Sequence, residues 1–546
     1  MVNLDDNGHR ARDAAGIVFR YVLEHRAATM PDRVFATFPA DRTEWTWAQA
    51  DEAANRLASV LAAHGVGRGD RVAILSDNGA SMVQTLLGTT KLGAVFVPFN
   101  TGWKADQIRH AFDVARPSVF ICQARFADRV SGMEPGDGLP ALVILSDDDS
   151  RDAAAGAAEL PSVGVLADLT GSASPERPAD PYIDVWDPYA VIFTSGTTGR
   201  SKGVLCPYGQ LLGQVEHPML PHCTPDDVFM GDMPLYHVGG LLAFMAVLQL
   251  GARWVVTPRV RVGTFWDTVK SFGVTHATLL PQVATFIEKQ PPRPDDADNP
   301  LRIIITGSYS RGLDRWCERF GVEHRYRYYN ATELCAPLMT GLDPPEDAAT
   351  GHVRPGVAVR VVDEHDVPVP RGTVGELVVR TDRPWEMFLG YVGDLPATTA
   401  AWRNGWYRTG DLFVQTGEHT YQYVDRLKDA IRRRGENISS FEVEEVMLRH
   451  PAVVSCAAVG VPADDVSGDE DIKACIVPRE GADLDVAEFI AFVGRLLPSY
   501  AVPRYVEVYR ELPRTSTQKV RKADLRAAGV TSATWDRLGA VEGVRK

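Results

Sequence analysis

Short apolar segments alternate with amphipathic ones over the first hundred residues, and this alternation restricts the possible folds more than any other feature of the chain. Residues 46–64 place apolar side chains at helical spacing between a capping threonine and Gly65, which predicts a helix. The apolar run Arg71–Leu75 predicts a buried strand, and a helix over about 80–92 then leads to a strand over 94–98. Helices that alternate with short buried strands indicate parallel sheets covered by helices.

The pattern changes twice further along the chain. Residues 147–182 are rich in Asp, Ala, Gly, Ser and Pro and indicate an irregular connection, whereas 301–306 again has the pattern of a buried strand. From about 355 to 425, shorter strands with Gly, Pro and Asp turns favour a small barrel or mixed sheet. Beyond 426, helices and strands indicate a compact α+β unit, with a tail from about 528.

These patterns predict two domains of unequal size, because 546 residues are too many for one ordinary domain. The predicted N-terminal domain, 1–425, is α/β, with layered α/β subdomains and a small β-barrel-like subdomain. The predicted C-terminal domain, 426–546, is small and α+β.

The composition narrows the possible partners and the compartment. A net charge of −14 disfavours nucleic acid and anionic membrane surfaces as partners. No run reaches the roughly 18 apolar residues that span a bilayer, and the N-terminus lacks the regions of a secretory signal. Seven scattered cysteines without a Cys-x-x-Cys pair indicate reduced thiols, and hence a cytoplasmic protein.

A run of small residues follows the apolar segment 189–193 and has the chemistry of a polyphosphate cradle. Its glycines allow positive φ and a close approach of the backbone to a ligand, while hydroxyls add donors and a lysine adds positive charge. It is not a Walker loop, because the required glycine and Ser/Thr positions do not match. Alone, it could equally be a surface turn. The residues are Thr194, Ser195, Gly196, Thr197, Thr198, Gly199, Ser201, Lys202 and Gly203.

Six further motifs accompany this loop in a fixed order. Together they closely resemble the adenylate-forming superfamily of acyl-CoA synthetases, adenylation domains and luciferases, over about residues 15–526. Residues 469–474 and the asparagine after Tyr329 are most similar to the crotonobetaine/carnitine-CoA ligase-like branch. The motifs are 91–100, Pro-Leu-Tyr-His-Val-Gly-Gly at 234–240, Tyr-Tyr-Asn-Ala-Thr-Glu at 328–333, Gly-Trp-Tyr-Arg-Thr-Gly-Asp at 405–411, Asp-Arg-Leu-Lys-Asp at 425–429 with Arg-Gly-Glu-Asn-Ile at 434–438, and Leu-Pro-Arg-Thr-Ser-Thr-Gln-Lys at 512–519.

The resemblance implies ATP-dependent activation of a carboxylic acid to an acyl-adenylate, with release of pyrophosphate, followed by transfer to the thiol of CoA. Negative charge develops on the phosphoryl groups, so cations and N–H donors are the main requirement. The loop 194–203 would hold the β- and γ-phosphates. Thr332 would bond the α-phosphate, and Glu333 would coordinate Mg²⁺.

The remaining nucleotide contacts are also implied by the resemblance. Tyr329 would stack on adenine, Asp411 would accept both ribose hydroxyls, and Arg426 would reach the ribose or phosphate. Taken singly, these residues are more often a core tyrosine, a turn aspartate and a surface arginine. Ser308, Asn330 and Gly435 complete the predicted binding set for nucleotide and CoA.

Lys519 matches the family's lysine near the C-terminus, which bridges the carboxylate and the α-phosphate and is the residue we expect to promote adenylation. Gln518 and Arg514 depart from the usual glycine and lysine, but the spacing of the motif is kept. The resemblance also implies a mobile C-terminal domain with its hinge near Lys428. Gly435 would then approach the site for the second half-reaction.

By resemblance, His237 would gate the channels for the acyl group and for pantetheine. The acyl pocket would be formed by 237–241, 282–286, 306–310 and 330–338. Tyr309 and Asn330 would narrow it and add hydrogen-bonding groups, which favours a small or polar, or aryl, acid over a long fatty chain.

Two other hypotheses stay open. One is a stand-alone adenylating enzyme that loads a separate carrier protein or activates an unusual acid, such as nitrite, for another nucleophile. The other is a non-catalytic nucleotide-binding relative, which the presence of all the expected site residues disfavours. A homodimer is possible under any of these hypotheses.

Overall fold

A computed structural model of the chain describes most of the 546 residues. The described ranges are 16–133, 138–146, 162–194, 201–211, 213, 220–231, 233–258, 260–307, 313–344, 350–433, 436–463, 470–482, 484–515 and 519–539. These residues form two compact units. The first unit comprises Met1–Ala358 and Arg380–Arg403, and the second comprises Val359–Val379 and Asn404–Lys546.

The strands have the following bounds: β1 (Val34–Phe38), β2 (Thr43–Thr46), β3 (Arg71–Leu75), β4 (Val95–Pro98), β5 (Val119–Cys122), β6 (Leu142–Leu145), β7 (Ser162–Val165), β8 (Pro188–Thr194), β9 (Lys202–Pro207), β10 (Val228–Gly231), β11 (Arg253–Val255), β12 (His276–Leu279), β13 (Ile303–Gly307), β14 (His324–Tyr329), β15 (Leu338–Met339), β16 (Gly351–Val353), β17 (Val357–Val362), β18 (Val374–Thr381), β19 (Gly390–Tyr391), β20 (Trp402–Arg403), β21 (Trp406–Gln415), β22 (Thr420–Arg426), β23 (Ile431–Arg433), β24 (Glu436–Ile438), β25 (Val453–Pro462), β26 (Glu470–Pro478), β27 (Tyr505–Val508) and β28 (Trp535–Asp536).

The α-helices have the following bounds: α1 (Phe19–Thr29), α2 (Trp47–Ala63), α3 (Ala80–Lys91), α4 (Ala105–Ala115), α5 (Leu166–Ser172), α6 (Leu241–Leu250), α7 (Phe265–Phe272), α8 (Pro281–Glu288), α9 (Leu313–Phe320), α10 (Leu395–Ala401), α11 (Ser440–Leu448), α12 (Val486–Gly494) and α13 (Lys522–Ala528). Two short 3₁₀ helices, Tyr208–Leu211 and Val238–Gly240, come after β9 and β10 in the chain.

The first unit contains two sheets, which we call sheet I and sheet II. Sheet I has the strand order β19-β9-β8-β4-β3-β5-β6-β7, and its strands from β8 to β7 in this order are parallel. Sheet II includes the order β16-β15-β14-β13-β12-β10-β11-β1-β2, and β14 to β1 are parallel. Parallel strands need helical crossovers, which cover the sheet faces and leave the strands apolar.

Local sequence explains the first helices and strands. The Thr46 hydroxyl accepts the N–H of Gln49 at 3.2 Å, and the Gln49 side chain accepts the N–H of Thr46 at 2.8 Å, which forms a capping box at the start of α2. The strand β3 occupies the predicted residues, and α3 and β4 agree with the predicted elements to within one residue. The predicted layered α/β class is therefore confirmed.

The described part of the predicted irregular segment differs from the expectation. Residues 162–165 form β7, a four-residue strand at the edge of sheet I, and α5 follows it directly. Such short elements lack the length over which hydrophobic periodicity becomes visible in a sequence. The first part of that segment, 147–161, lies outside the described residues.

The second unit combines antiparallel strands with a small α+β layer. The strands β18, β21 and β22 pair antiparallel in this order, as the turn-rich sequence predicted. A second sheet has the order β25-β26-β27-β28, and its buried face packs with α11 and α12 around Val443, Phe489 and Val506. The described part of the predicted tail contains β28, which pairs with β27. The domain boundary expected at 426 stays a prediction.

Candidate active site

The carboxyl ends of adjacent parallel strands bring several of the predicted site segments together. Residues 233–240, 280–286 and 330–337 come after β10, β12 and β14, and these three strands and β13 are neighbours in sheet II. In parallel α/β sheets, ligands bind outside the carboxyl ends of the strands. The described residues of the four predicted acyl-pocket segments therefore follow or end strands that are neighbours in sheet II, whereas 308–310 lie outside the described residues.

The predicted phosphate loop connects two antiparallel neighbours of sheet I. Thr194 ends β8 and lies opposite Lys202, which begins β9. Phe193 fixes the end of β8, because its ring packs against Trp103 with centroids 5.3 Å apart. The loop residues Ser195, Gly196, Thr197, Thr198 and Gly199 lie outside the described residues, as do Ser308 and Gly435.

Gly203 serves packing rather than an unusual backbone angle. We expected it to contribute positive φ, but it is not among the glycines with positive φ and pairs within β9. A Cβ at this position would lie 2.9 Å from Cγ1 of Val191 and 3.2 Å from Cγ1 of Val114. A side chain would therefore push β9 away from its neighbours, just beside Lys202.

Thr332 and Glu333 occupy the two central positions of a tight turn. The N–H of Leu334 donates to the carbonyl of Ala331 at 3.0 Å, which closes a β-turn around them. Both side chains are largely buried, with 7% and 8% exposure. The turn follows β14 and therefore presents both predicted site residues at the carboxyl edge of sheet II.

The carboxylate of Glu333 is held by Tyr391, a residue that sequence reasoning missed. The Tyr391 hydroxyl donates to Oε1 of Glu333 at 2.8 Å. The same ring lies below the ammonium of Lys202, whose Nζ is 4.7 Å from the ring centroid. Tyr391 belongs to β19, which pairs with β9, so its position depends on sheet I rather than on any local motif.

The backbone of the turn is held by Gln210, which was also missed. Its Nε2 donates to the carbonyls of Thr332 and Leu334, each at 2.7 Å. The N–H of Phe388 donates to the carbonyl of Glu333 at 3.2 Å. Three successive carbonyls of the turn are thus hydrogen-bonded.

Tyr329 ends β14, and Asn330 lies between this strand and the turn. Tyr329 is 4% exposed and pairs with Leu338 of β15. The Oδ1 of Asn330 accepts the N–H of Ala336 at 2.8 Å, and Ala336 has a φ of 52°. The side-chain oxygen of Asn330 therefore supports the backbone of the segment that we expected to line the acyl pocket. Stacking of Tyr329 on adenine stays a prediction.

His237 caps the 3₁₀ turn that follows β10. Its Nδ1 accepts the N–H of Gly239 at 3.2 Å, so Nδ1 carries no proton and the neutral ring is protonated at Nε2. Asn78 holds the preceding segment, because its Oδ1 accepts the N–H of Leu235 at 2.9 Å. The buried Asn78 side chain therefore positions the loop that carries His237.

The second unit brings together three predicted residues from distant motifs. Asp411 of β21 and Arg426 of β22 are direct cross-strand partners, with 3.8 Å between Arg426 Nε and Asp411 Oδ1. Burial and, to a smaller extent, the nearby charge of Arg426 lower the pKa of Lys519 to about 8, while the charge of Asp411 acts in the opposite direction. The Lys519 N–H donates to Thr515 Oγ1 at 3.1 Å, which fixes the backbone of its loop.

The predicted hinge residue has a similar electrostatic environment. Burial lowers the pKa of Lys428 to about 8, and the charge of Arg426 contributes in the same direction. Asp429 next to it accepts a hydrogen bond from Arg526 at 3.3 Å. Leu427 on the other side is 52% exposed.

The donor set around Glu333 suits Mg²⁺. A carboxylate that is already hydrogen-bonded by a phenol supplies hard oxygen, which Mg²⁺ prefers, and its partner fixes its direction. Within the described ranges, the residues whose ligand atoms approach one another as in a metal site are Cys223, Asp227 and His276. They lie at the amino ends of β10 and β12, away from the edge of sheet II that carries Glu333.

That second cluster is a satisfied hydrogen-bond network. Asp227 accepts from the N–H of Thr224 at 2.7 Å and from the hydroxyl of Thr275 at 2.9 Å, and its Oδ1 lies 3.2 Å from Arg302. Burial lowers the pKa of His276 to about 4. The predicted metal residue therefore stays Glu333.

In the part of the chain that the structure describes, no helix has both the length and the apolar character to cross a bilayer.

Two family models of known proteins match two successive parts of the chain. The family model of the AMP-binding enzyme matches residues 23–392, and that of the AMP-binding enzyme C-terminal domain matches residues 442–519. An indoleacetate–CoA ligase of Aromatoleum aromaticum is 31% identical over 515 residues, covering 92% of this chain and 96% of the relative. A crotonobetaine/carnitine–CoA ligase of Salmonella paratyphi A is 28% identical, covering 88% of this chain and 93% of the relative.

A solved structure shows the same architecture. ATP-bound MatB from Rhodopseudomonas palustris matches with a TM-score of 0.76 at 26% identity, covering 93% of this chain and 98% of that one. These matches confirm the predicted resemblance and the predicted class of acid–thiol ligase. Because the first family model alone covers more than half of the sequence, the chain belongs to the family of AMP-binding enzymes.

Proposed function

We propose that this chain activates a carboxylic acid with ATP and transfers the acyl group to CoA. A carboxylate oxygen attacks the α-phosphorus, the bond from this phosphorus to the oxygen bridging to the β-phosphate breaks, and pyrophosphate leaves. The CoA sulfur, after losing its proton, then attacks the acyl carbon, and AMP leaves. The convergence of Lys519, Arg426 and Asp411 in the second unit carries this proposal, since it joins two cations with a carboxylate suited to ribose.

The second unit would supply the adenylation step. The ammonium of Lys519 is a compact charge that can bridge the attacking carboxylate and the α-phosphate. Asp411 offers two acceptor oxygens for the two ribose hydroxyls, and Arg426 beside it would contact ribose or phosphate. The lowered pKa of Lys519 reflects a buried charge that an anionic ligand would stabilise.

The first unit would hold the triphosphate. Lys202 begins β9 directly after the predicted phosphate loop, and Thr332 lies in the turn beside Glu333. Glu333 would hold Mg²⁺, which when bound neutralises charge on phosphate oxygens. His237 with its Nε2 proton would border the acyl group and the pantetheine arm.

The acid is proposed to be small and either polar or aryl. The names of two relatives, an indoleacetate ligase and a crotonobetaine/carnitine ligase, support this range, because one acid is aromatic and the other polar. CoA is the proposed acceptor, because both of these relatives are named as CoA ligases. A separate carrier protein, or an unusual acid such as nitrite with another nucleophile, is the alternative.

The thiols support the proposed location. All seven cysteines lie within the described residues, none of them forms a disulfide, and six of them are buried. Cysteines that form no disulfide suit a reducing compartment, so we propose that the protein acts in the cytoplasm, with a homodimer as one possible assembly.

Pyrophosphate release tests the proposal. ATP, Mg²⁺ and a panel of short, polar and aryl acids are supplied with and without CoA. Turnover that requires CoA is the expected result, whereas turnover that ignores CoA for every responsive acid would favour the alternative acceptor. Absence of release from all acids, together with absence of MgATP binding, would contradict the proposed function.

Substitution of the lysine separates the two half-reactions. Lys519→Ala should abolish formation of the adenylate but leave thioester formation from a synthetic acyl-adenylate largely intact. Lys270→Ala is the control, because this lysine lies on α7 and pairs with Asp295 at a partly exposed position. Equal loss of both half-reactions in Lys519→Ala would exclude the proposed role.

A further inference from the structure

We propose that Gln210 is a positioning residue that holds the Thr332–Glu333 turn in the geometry needed for metal and phosphate binding. This inference rests on the proposed function. Gln210 lies in the 3₁₀ turn that follows β9 and is only 3% exposed. Its hydrogen bonds go to backbone carbonyls of the turn, so it acts through the backbone.

The two hydrogen bonds of Gln210 span the turn. Its Nε2 donates to the carbonyls of Thr332 and Leu334, each at 2.7 Å, and these residues flank Glu333. A single carboxamide thus fixes the carbonyl before and the carbonyl after the residue that would hold Mg²⁺. Rotation of either peptide plane would move the Glu333 side chain, so the two bonds define its direction.

The orientation of the carboxamide follows from its surroundings. Two carbonyl oxygens face the same atom, and an amide nitrogen has two N–H groups for them, whereas an oxygen in its place would repel both. The other end of the group, Oε1, is buried and has no hydrogen-bond partner among the described atoms. A buried acceptor without a partner is costly, so an apolar side chain would fill this place more stably if only packing were required.

The surroundings of Gln210 make its position rigid. A Cβ on the preceding Gly209 would lie 2.6 Å from the carbonyl oxygen of Trp385, so the 3₁₀ turn lies directly against the segment before β19. The same segment donates the N–H of Phe388 to the carbonyl of Glu333 at 3.2 Å. Tyr391 at its end holds the carboxylate. Gln210 and Phe388 therefore hold the backbone of the turn, and Tyr391 holds the side chain of Glu333.

The position also links the phosphate loop to the metal residue. Lys202 begins β9 and Gln210 follows its end, so one strand connects the cation that would contact the β- and γ-phosphates to the group that fixes Glu333. Cys206 between them has its Sγ 4.0 Å from the carbonyl of Thr332. Burial raises the pKa of this thiol far above its usual range, so Cys206 stays neutral there.

Two substitutions of Gln210 test the proposal. Gln210→Met keeps the length and bulk of the side chain but removes both donors. Gln210→Asn keeps the carboxamide on a stem one methylene shorter, so it can retain one of the two bonds. We expect the concentration of Mg²⁺ that gives half-maximal pyrophosphate release to rise by about 10- to 100-fold in Gln210→Met and by less in Gln210→Asn. The KM for the acid should change less than about threefold in both.

A binding measurement removes the dependence on turnover. Mn²⁺ replaces Mg²⁺, and electron paramagnetic resonance measures free Mn²⁺ in the presence of enzyme and a non-hydrolysable ATP analogue. The apparent Kd for Mn²⁺ should rise by a similar factor in Gln210→Met. If wild type binds neither Mn²⁺ nor the analogue, the proposed function fails; if wild type binds both and Gln210→Met binds them equally well, only the role of Gln210 fails.

Gln84 provides a matched control in the same unit. Its Nε2 also donates to a backbone carbonyl, that of Ala53 at 3.0 Å, but Gln84 lies on α3 and its bond goes to the neighbouring helix α2. Gln84→Met should lower the melting temperature without changing the Mn²⁺ affinity. An equal loss of Mn²⁺ affinity in Gln84→Met and Gln210→Met would show a general effect of destabilisation and would overturn the proposal. If Gln210→Met does not fold, the comparison rests on Gln210→Asn against Gln84→Asn.

Discussion

The hydroxyl of Tyr391 donates a hydrogen bond of 2.8 Å to Oε1 of Glu333, although the two residues are 58 positions apart in the chain. The tyrosine belongs to the edge strand of sheet I and the glutamate follows the last parallel strand of sheet II. This bond therefore connects the sheet that carries the predicted phosphate loop with the sheet that carries the predicted metal residue. The ring also lies below Lys202, so a single side chain contacts both.

Tyr391→Phe should weaken catalysis without unfolding the protein. The change removes the hydrogen bond to Glu333 but keeps the ring below Lys202. We expect kcat/KM for MgATP to fall by about tenfold, because partners that orient a metal ligand have effects of this size. Stability should fall by about 1 kcal/mol, the usual net value of one hydrogen bond. Kinetics at several Mg²⁺ concentrations, with thermal unfolding alongside, give both quantities.

The control for this substitution is Tyr182→Phe, because Tyr182 is 76% exposed. It should leave both quantities unchanged. Tyr391→Leu additionally removes the aromatic ring and should lower MgATP affinity further than Tyr391→Phe. Wild-type kinetics in Tyr391→Phe would show that Glu333 does not depend on this bond.

Adenylation should decline above pH 8. Burial lowers the pKa of Lys519 to about 8, and the proposed role requires the protonated amine. The free enzyme therefore loses the active form as pH rises through 8, and kcat/KM for ATP should fall tenfold per pH unit beyond it. Arginine stays protonated, so Lys519→Arg should lose this decline, although its activity is lower.

Lys428 has a similar pKa and needs a separate test. Lys428→Arg should keep the decline above pH 8 if Lys519 causes it. A decline that persists in Lys519→Arg and disappears in Lys428→Arg would assign the pH dependence to Lys428 instead.

Lys519 should also make the stability of the folded protein rise with pH, whereas the activity declines with pH. The pKa of an unfolded lysine is about 10.4, so between about pH 8 and 10.4 the unfolded chain binds more protons than the folded one. The contribution of Lys519 to the free energy of unfolding therefore rises with pH across this window. Denaturant unfolding at pH 7.5 and 9.5 should show a smaller pH effect in Lys519→Met than in wild type, and identical pH effects would contradict the lowered pKa.

Lys428→Pro tests the predicted hinge. Proline fixes φ near −65° and would restrict rotation at this position. One half-reaction should fall at least tenfold more than the other, because each requires its own arrangement of the C-terminal residues. Lys428→Ala is the control that removes the charge and leaves φ unrestricted. Small and equal effects of Lys428→Pro on adenylate formation and thioester formation would place the hinge elsewhere.

Gly240→Ala should disrupt the loop of His237 more than Gly239→Ala. A Cβ on Gly240 would overlap the carbonyl oxygen of Pro234, which belongs to the backbone and cannot easily move. A Cβ on Gly239 would meet the end of the flexible Met233 side chain instead. We expect a stability loss of about 1–3 kcal/mol for Gly240→Ala, with a smaller loss for Gly239→Ala. Thermal unfolding of both variants measures the difference, and equal losses would contradict this packing argument.

Much of the fold could be predicted because its signals are local. The helix α2 follows from apolar spacing over 17 residues and a capping threonine, and β3 from five consecutive residues of a buried strand. The turn-rich stretch before residue 425 likewise gives antiparallel strands. The edge strand β7 was missed, because four residues carry too little periodicity.

The candidate site divides in the same way. Lys202, Thr332, Glu333 and Asp411 stand in motifs whose spacing can be read along the chain. Gln210 and Tyr391 stand in no such motif. Their partners are 122 and 58 residues away, so no local pattern records the contact.

The sequence alone therefore determined the α/β class, the order of the motifs and the family, because periodicity and spacing are properties of neighbouring residues. Only the tertiary structure decided how the residues of the motifs are held. Pairing of β19 with β9 brings Tyr391 to Glu333, and the 3₁₀ turn after β9 brings Gln210 to the turn at Thr332. Such contacts arise from strand order and packing between distant segments, which local chemistry does not specify.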